Sequence, residues 1–310
     1  MNTIGMKIDE VRIDGCLDKF LSDLEQMQDM GIRAVELPVH GLDVILNGQL
    51  WQRRMDEVSA ILRDFKFQYS VHAPNPVNLM DKHDPGLHAD VLAASLGFAR
   101  NVGAGVVVYH GGRYIPEEAF NMGGPRDLPR AQKASMREAE ALVLQSVSKS
   151  CPDVCIAVEN ARPYTGQSPY TYAESIDDLH TQVSDVNRPN VGINLDFGHL
   201  GMTASFYGFD ILDAVEKIRP LVVHTHIHDN FGGVVHHYEK QQTHQLPFGR
   251  GDNHMPVGWG TLPIREMLAI ILPRYKGLLM MELRSRYFPY ITESRDNLNA
   301  LLENIADNKD

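Results

Sequence analysis

The chain has 310 residues, 43% hydrophobic and 22% charged, a composition that excludes intrinsic disorder and supplies enough apolar surface for a sizeable core. Its 29 basic and 40 acidic residues leave a net charge of −11, which disfavours non-specific attraction to nucleic acid or an anionic membrane. Three cysteines, Cys16, Cys151 and Cys155, cannot pair completely, and no apolar run approaches the roughly 18 residues of a membrane helix, so a cytoplasmic chain with no membrane span is expected. Histidine is the unusual residue: there are fourteen, and seven of them lie between His224 and His254.

Short β-branched or apolar runs alternate with stretches of helical period, the pattern of repeated β-then-α units around a parallel sheet. Strand one falls near Thr3–Ile8. The helix after it carries Leu17, Phe20, Leu21, Leu24 and Met27 on one face and stops at Gly31. Ala34–Pro38, Gln68–His72 and Val106–His110 follow as strands two to four, with helices near Trp51–Asp64 and Gly86–Val102 between them. A loop rich in Gly and Pro runs from Gly111 to Pro129, then a helix over Pro129–Ser150, strand five at Val154–Glu159 and a helix over Tyr172–Val186. Strand six is Val191–Asp196, its helix Asp210–Ile218, and strand seven Leu221–Ile227. A long irregular segment, Asp229–Gly260, precedes a helix capped by Thr261, strand eight at Leu278–Glu282 and a closing helix at Thr292–Ile305.

Eight such units without a linker predict a single α/β domain over residues 1–310, a (β/α)8 TIM barrel. An open doubly wound sheet lacks its main support, because no Gly-x-Gly-x-x-Gly follows the first strand. In such a barrel the site lies at the C-terminal strand ends. Those ends read Glu36, His72, His110, Glu159, Asp196, His226 and Glu282. Several carboxylates meeting at one mouth would repel one another unless a divalent cation compensated them, so a metal site is predicted there. Asp196-Phe-Gly-His199, His226-Ile-His-Asp229 and Asp252-Asn-His254 add imidazoles beside carboxylates. Alternation puts His224, His226 and His228 on one face of strand seven; only the residue nearest the mouth should reach a metal, which leaves His224 a structural role and His228 a supporting or substrate contact.

Val71-His-Ala-Pro74, Tyr109-His-Gly-Gly112, Val158-Glu-Asn160, Leu195-Asp-Phe-Gly-His199, His226-Ile-His-Asp229, Asp252-Asn-His-Met-Pro-Val-Gly-Trp-Gly260 and Met281-Glu282 together resemble the xylose-isomerase-like barrel superfamily, which holds sugar-phosphate isomerases and epimerases together with endonuclease IV (AP endonuclease family 2). The resemblance implies a central metal, Zn, Mn, Fe or Co, held by Glu159, Asp196, His226 and Glu282. It implies a second metal at His72, His110 and Glu159, and a third at His199, Asp252 and His254, for the endonuclease branch alone. One ion is expected, with up to three in the multinuclear case.

With one ion, the implied chemistry is isomerisation or epimerisation of a carbohydrate, with proton transfer between Glu159 and Glu282 on opposite sides of the mouth. His72, His110, Asn160, His199, His228 and Arg284 are then candidate substrate contacts, and Arg162, Arg250 or Arg284 a site for a phosphate or carboxylate. Trp259 and Phe248 offer an apolar wall. With two or three ions, phosphoester hydrolysis is the alternative, or a lyase or hydrolase reaction on a modified sugar. DNA recognition is disfavoured, because His40–Gln49 carries no Lys or Arg and Asn75–Pro85 only one Lys. A small-molecule partner and a homo-oligomer are the expected associations.

Overall fold

A computed structural model describes residues 2–122, 127–239 and 244–307; positions 123–126 of the loop after strand four and 240–243 of the long segment lie outside the described residues. Eight parallel strands close into a barrel: β1 (Ile4–Lys7), β2 (Ala34–Pro38), β3 (Gln68–His72), β4 (Val106–His110), β5 (Cys155–Glu159), β6 (Val191–Asp196), β7 (Val222–Ile227) and β8 (Leu279–Met281). Each pairs with its neighbours in sequence, and β1 meets β8 through Ile4 opposite Leu279. Three consecutive valines in β4 and the fully buried run of β6 suit strands covered on both faces.

The outer helices bury one stripe each. In α1 (Leu17–Asp29) the stripe is Phe20, Leu24 and Met27, as the spacing predicts. Helix α2 (Gln52–Leu62) precedes β3. Helix α3 (Pro85–Val102) starts with the Asp84 carboxylate accepting from Leu87 N and ends at Gly103, whose φ of 73° lies in the left-handed region glycine enters freely. Helix α4 (Arg130–Ser150) follows β4, and in α5 (Ile176–Val186) Ser175 Oγ accepts from Asp178 N.

Several boundaries differ from the sequence reading. Strand eight stops at Met281, so Glu282 stands just beyond it. Tyr172–Glu174 forms a 3-10 turn before α5 rather than its first turn. A helix absent from the prediction, α6 (Phe197–Tyr207), leaves β6 directly and precedes α7 (Ile211–Ile218). Helix α8 (Ile264–Ile271) has Pro263 at its cap position without a side-chain cap; Thr261 instead gives its amide to the Asn230 carbonyl. Helix α9 (Ile291–Asp307) closes the chain.

The long segment after β7 is tied at its base. Asp229 and Met255 exchange backbone hydrogen bonds at 2.9 and 3.1 Å, and the Asp229 carboxylate accepts from the amides of Asn230, Gly258 and Leu262. Further out, Gly251 N donates to the Gly233 carbonyl. No helix among the described residues is long and apolar enough to cross a membrane.

Candidate active site

The layer beneath the mouth is polar and sealed. Glu36, fully buried, is not at a strand end: Pro38 terminates β2, and Glu36 lies two residues deeper on the same face, a correction to the sequence reading. Its carboxylate accepts from Ser70 Oγ at 2.9 Å and faces His224 Nε2 at 2.9 Å and His226 Nε2 at 2.8 Å. Burial alone would push the Glu36 carboxyl up, but the two imidazoles outweigh burial and hold it well below the ordinary carboxylate range. An ionised carboxylate only accepts, so both rings present Nε2–H to it. His224 is thereby structural, and His226 has its remaining nitrogen, Nδ1, turned upward.

Around that nitrogen Glu159, Asp196 and Glu282 converge, with one ligand atom from each of the four residues within 4.8 Å of the others. His226 Nδ1 lies 3.3 Å from Glu159, 3.9 Å from Asp196 and 3.1 Å from Glu282. Despite that proximity, His226 Nδ1 and Glu282 Oε2 are both buried and without a hydrogen-bond partner. Three carboxylates and a nitrogen aimed between them, with atoms left unsatisfied, form a donor set that fits a divalent cation. Burial opposes charge on His226, yet Glu36, Glu282 and Glu159 hold its pKa well above the usual value, so a cation is favoured at this point. Glu159 ends β5 and Glu282 directly follows β8, strands separated by β6 and β7, and both residues line the cavity above.

Two further groups flank this one, the first of them sharing Glu159. His72 and His110 lie 3.9 and 3.7 Å from Glu159. Burial lowers both imidazoles, His110 to about 3, which leaves neutral rings with lone pairs to offer. On the other side, His199, His228, Asp252 and His254 gather within the same range. His254 adopts a left-handed backbone (φ 45°), uncommon for a residue with a Cβ; its Nδ1 donates to the Glu282 carbonyl at 3.0 Å and its Nε2 meets Asp252 at 2.9 Å. The Arg162 guanidinium is already in this second group, 3.1 Å from His199 Nε2 and 3.4 Å from Asp252, so its lone carboxylate has a counter-charge.

Several predicted substrate contacts are committed elsewhere. Both ends of the Asn160 amide bind the Asp196 backbone, Nδ2 to the carbonyl at 3.0 Å and Oδ1 to the amide at 2.8 Å, so Asn160 positions a carboxylate. His228 is fully buried beside Asp196, stacks on His254 and packs so closely on α6 that a Cβ at Gly198 would stand 1.9 Å from its ring. Arg284 borders the cavity, but its guanidinium binds the Asp252 carbonyl; Arg162 pairs as above, and Arg250 is exposed away from the cavity lining. Trp259 donates to Glu293 and meets the Tyr290 ring edge-on, and Phe248 is exposed; neither borders the cavity, so the expected wall is not formed by them.

The open cavity has a volume of about 590 Å³ and is bordered by His110, Glu159, His199, Asp252, His254 and Glu282 from the predicted set. Sequence reasoning missed Lys7, whose ammonium lies 3.1 Å from Glu282 and 3.2 Å from Glu10. Burial pulls its pKa down, but Glu10 and Glu282 outweigh that and raise it well above the usual value. Placing the end of strand one at Ile8 hid it; Lys7 is the last residue of β1.

The fold and the site define a (β/α)8 barrel with a mixed imidazole and carboxylate cluster at its C-terminal mouth. The family model for the xylose isomerase-like TIM barrel matches residues 24–305, and the chain belongs to that family. Similar solved structures include a D-tagatose 3-epimerase-like protein (18% identity, all of both chains, TM-score 0.73) and an L-ribulose 3-epimerase (12%, 100% of this chain and 97% of that one, 0.69). A xylose isomerase-like TIM barrel protein from Mycobacterium smegmatis in complex with magnesium is another (15%, 98% of each, 0.70). At these identities the likeness carries the fold. No curated protein matches the sequence significantly.

Proposed function

We propose that the chain is a divalent-metal-dependent isomerase or epimerase of a sugar or sugar-like small molecule. The observation that carries this reading is the convergence of Glu159, Asp196, Glu282 and the oriented His226 within 4.8 Å beneath a cavity of sugar-accommodating size. These four would hold the ion, whose chemistry when bound is to polarise a substrate carbonyl or hydroxyl. Zn, Mn, Fe and Co suit the mixed donors, and the magnesium in one structural relative adds a further metal to test.

Glu159 and Glu282 both line the cavity and are the proton-transfer pair: one takes a proton from the carbon beside the carbonyl and the other returns it. Return to the same carbon from the opposite face epimerises, and return to the neighbour isomerises. His110 stands at the cavity edge to bind a hydroxyl; Asn160 and Glu36 hold Asp196 and His226 in place. Two relatives are named as ketose 3-epimerases or like them, which supports ketoses as the first substrates to try.

The presence of three neighbouring ligand groups, two of them sharing Glu159, favours one alternative, a multinuclear phosphoesterase. Arg162 weighs against it by supplying the charge a third ion would bring. Metal analysis of protein purified without chelator separates them: about one ion per chain is expected, and about three would overturn the isomerase reading. Exchange of the proton beside the carbonyl into D2O, followed by NMR over a ketose panel, tests the activity. Glu159→Gln and Glu282→Gln are each expected to lower it by about a hundredfold or more, and undiminished exchange in either variant refutes the proton-transfer role.

A further inference from the structure

We propose that Arg113 reads an anionic group, a carboxylate or a phosphate, on the substrate of this cavity. The proposal rests on the catalytic reading above and deepens it by naming the substrate class.

Arg113 follows the Gly111-Gly112 turn that leaves β4 and borders the cavity next to His110. It is only 7% exposed. Its backbone is clamped to the loop after β3, with its amide donating to Asn78 Oδ1 at 2.8 Å and its carbonyl accepting from Asn78 Nδ2 at 3.1 Å. Its Nη2 donates to the carbonyls of Asn75 and Val77 at 2.9 and 3.0 Å. These contacts fix where the guanidinium points, yet they are to neutral dipoles. The Nε is buried with no partner.

Of the other cations lining this cavity, two are neutralised, while the half-buried Arg284 donates only to the Asp252 carbonyl and Arg286 is exposed. Lys7 has Glu10 and Glu282 within 3.2 Å, and Arg162 has Asp252 at 3.4 Å. Among the described residues Arg113 has no carboxylate in ion-pair range, and the stretches 123–126 and 240–243 contain no Asp or Glu. Glu117, on the same cavity wall, binds Tyr164 Oη and His237 instead. A buried charge with no counter-ion is a costly arrangement for a fold to keep, and an oriented guanidinium facing a ligand cavity resolves the cost when the ligand brings the negative charge. A sugar hydroxyl at the cavity edge would leave the charge unmatched; a carboxylate or phosphate matches it.

The test uses metal-loaded protein with D-fructose, D-fructose 6-phosphate and D-fructuronate, measuring binding by calorimetry and proton exchange into D2O by NMR. At least one anionic sugar is expected to bind about tenfold or more tighter than D-fructose, and Arg113→Gln to lower that ratio by about tenfold. Preference for the 6-phosphate or the uronate identifies which anion is read. Equal affinity for all three sugars, or a ratio unchanged in Arg113→Gln, overturns the proposal. Should that variant fail to fold, the wild-type ratio decides, together with Arg113→Lys, which keeps the charge and is expected to retain part of the preference. Selective, Arg113-dependent binding without proton exchange for any sugar would leave this inference standing and count against the catalytic reading, so the two failures are distinguishable.

Discussion

Replacing Glu36 by Gln tests whether the sealed layer under the mouth sets the chemistry above it. Three donors, Ser70 Oγ, His224 Nε2 and His226 Nε2, meet the two carboxylate oxygens at 2.8–2.9 Å. An amide keeps one oxygen. Were its nitrogen to face His226, that ring would move its proton to Nδ1, the atom aimed between Glu159 and Glu282. The amide therefore settles with nitrogen toward Ser70 and His224, at the loss of the two charge-assisted hydrogen bonds that Oε2 accepted, a stability cost of about 1.5–3 kcal/mol each before any new amide hydrogen bond offsets it. Weaker fixing of the His226 tautomer is expected to reduce metal affinity by about 10–100-fold, the usual effect of removing a ligand's supporting partner. Titration calorimetry of Mn2+ or Zn2+ into chelator-stripped wild type and Glu36→Gln reads the affinity, and urea unfolding of the same samples reads the stability. A dissociation constant within about twofold of wild type would refute the positioning role of Glu36.

Gly198→Ala places a Cβ 1.9 Å from the His228 ring, so overpacking should destabilise the fold by about 1–3 kcal/mol in urea unfolding; an unchanged midpoint would contradict that contact. Glu140 is pushed up to about 7 by burial, against the donors Tyr109, Gly112 and Gln182. Its folded pKa then exceeds the unfolded value of about 4.3, so the folded chain holds the extra proton between them and stability from this group falls as pH rises through that window. Urea unfolding at about pH 5 and about pH 7.5 should show a shallower decline in Glu140→Gln than in wild type, and parallel declines would contradict the assignment. Asp229→Asn swaps one acceptor oxygen for a donor among three backbone amides and should cost about 1–3 kcal/mol, with faster proteolysis between residues 233 and 251; equal cleavage rates would show that the carboxylate does not hold the loop.

Strand positions were legible because a parallel barrel demands short apolar runs at regular spacing, and those runs, such as Val106-Val-Val108, have few other uses. The metal-type residues were legible for the same reason: a chain places a charged group at the end of a buried strand only where something accepts it. Depth was not legible. Glu36 and Pro38 share one face of β2, and period-two alternation does not say which of them meets the mouth. Helix α6 was hidden by its composition: Gly198, Gly201 and Thr203 lower helix propensity, and burial along most of its length removes the amphipathic signal. Asn160 lost its apparent standing as a substrate contact, and nothing in the sequence singles out Arg113, since hydrogen-bond partners from distant segments, Asp196 in one case and Asn75 and Val77 in the other, decide how a polar group is held.

The tied base of the segment after β7 separates two evolutionary pressures. Asp252 and His254 lie on the returning arm just before the Met255 rung, and the chain beyond the Gly233–Gly251 rung is anchored independently of them. Because the entropy of closing a loop grows only slowly with its length, residues between 233 and 251 can lengthen, shorten or be exchanged while the rungs below keep their register. His237 within that stretch already packs on Phe120 and Tyr164 and lies 3.1 Å from Glu117 of the cavity wall. One barrel can therefore acquire a new wall by drift in a single hairpin-like excursion, with the carboxylate and imidazole groups beneath it left in place.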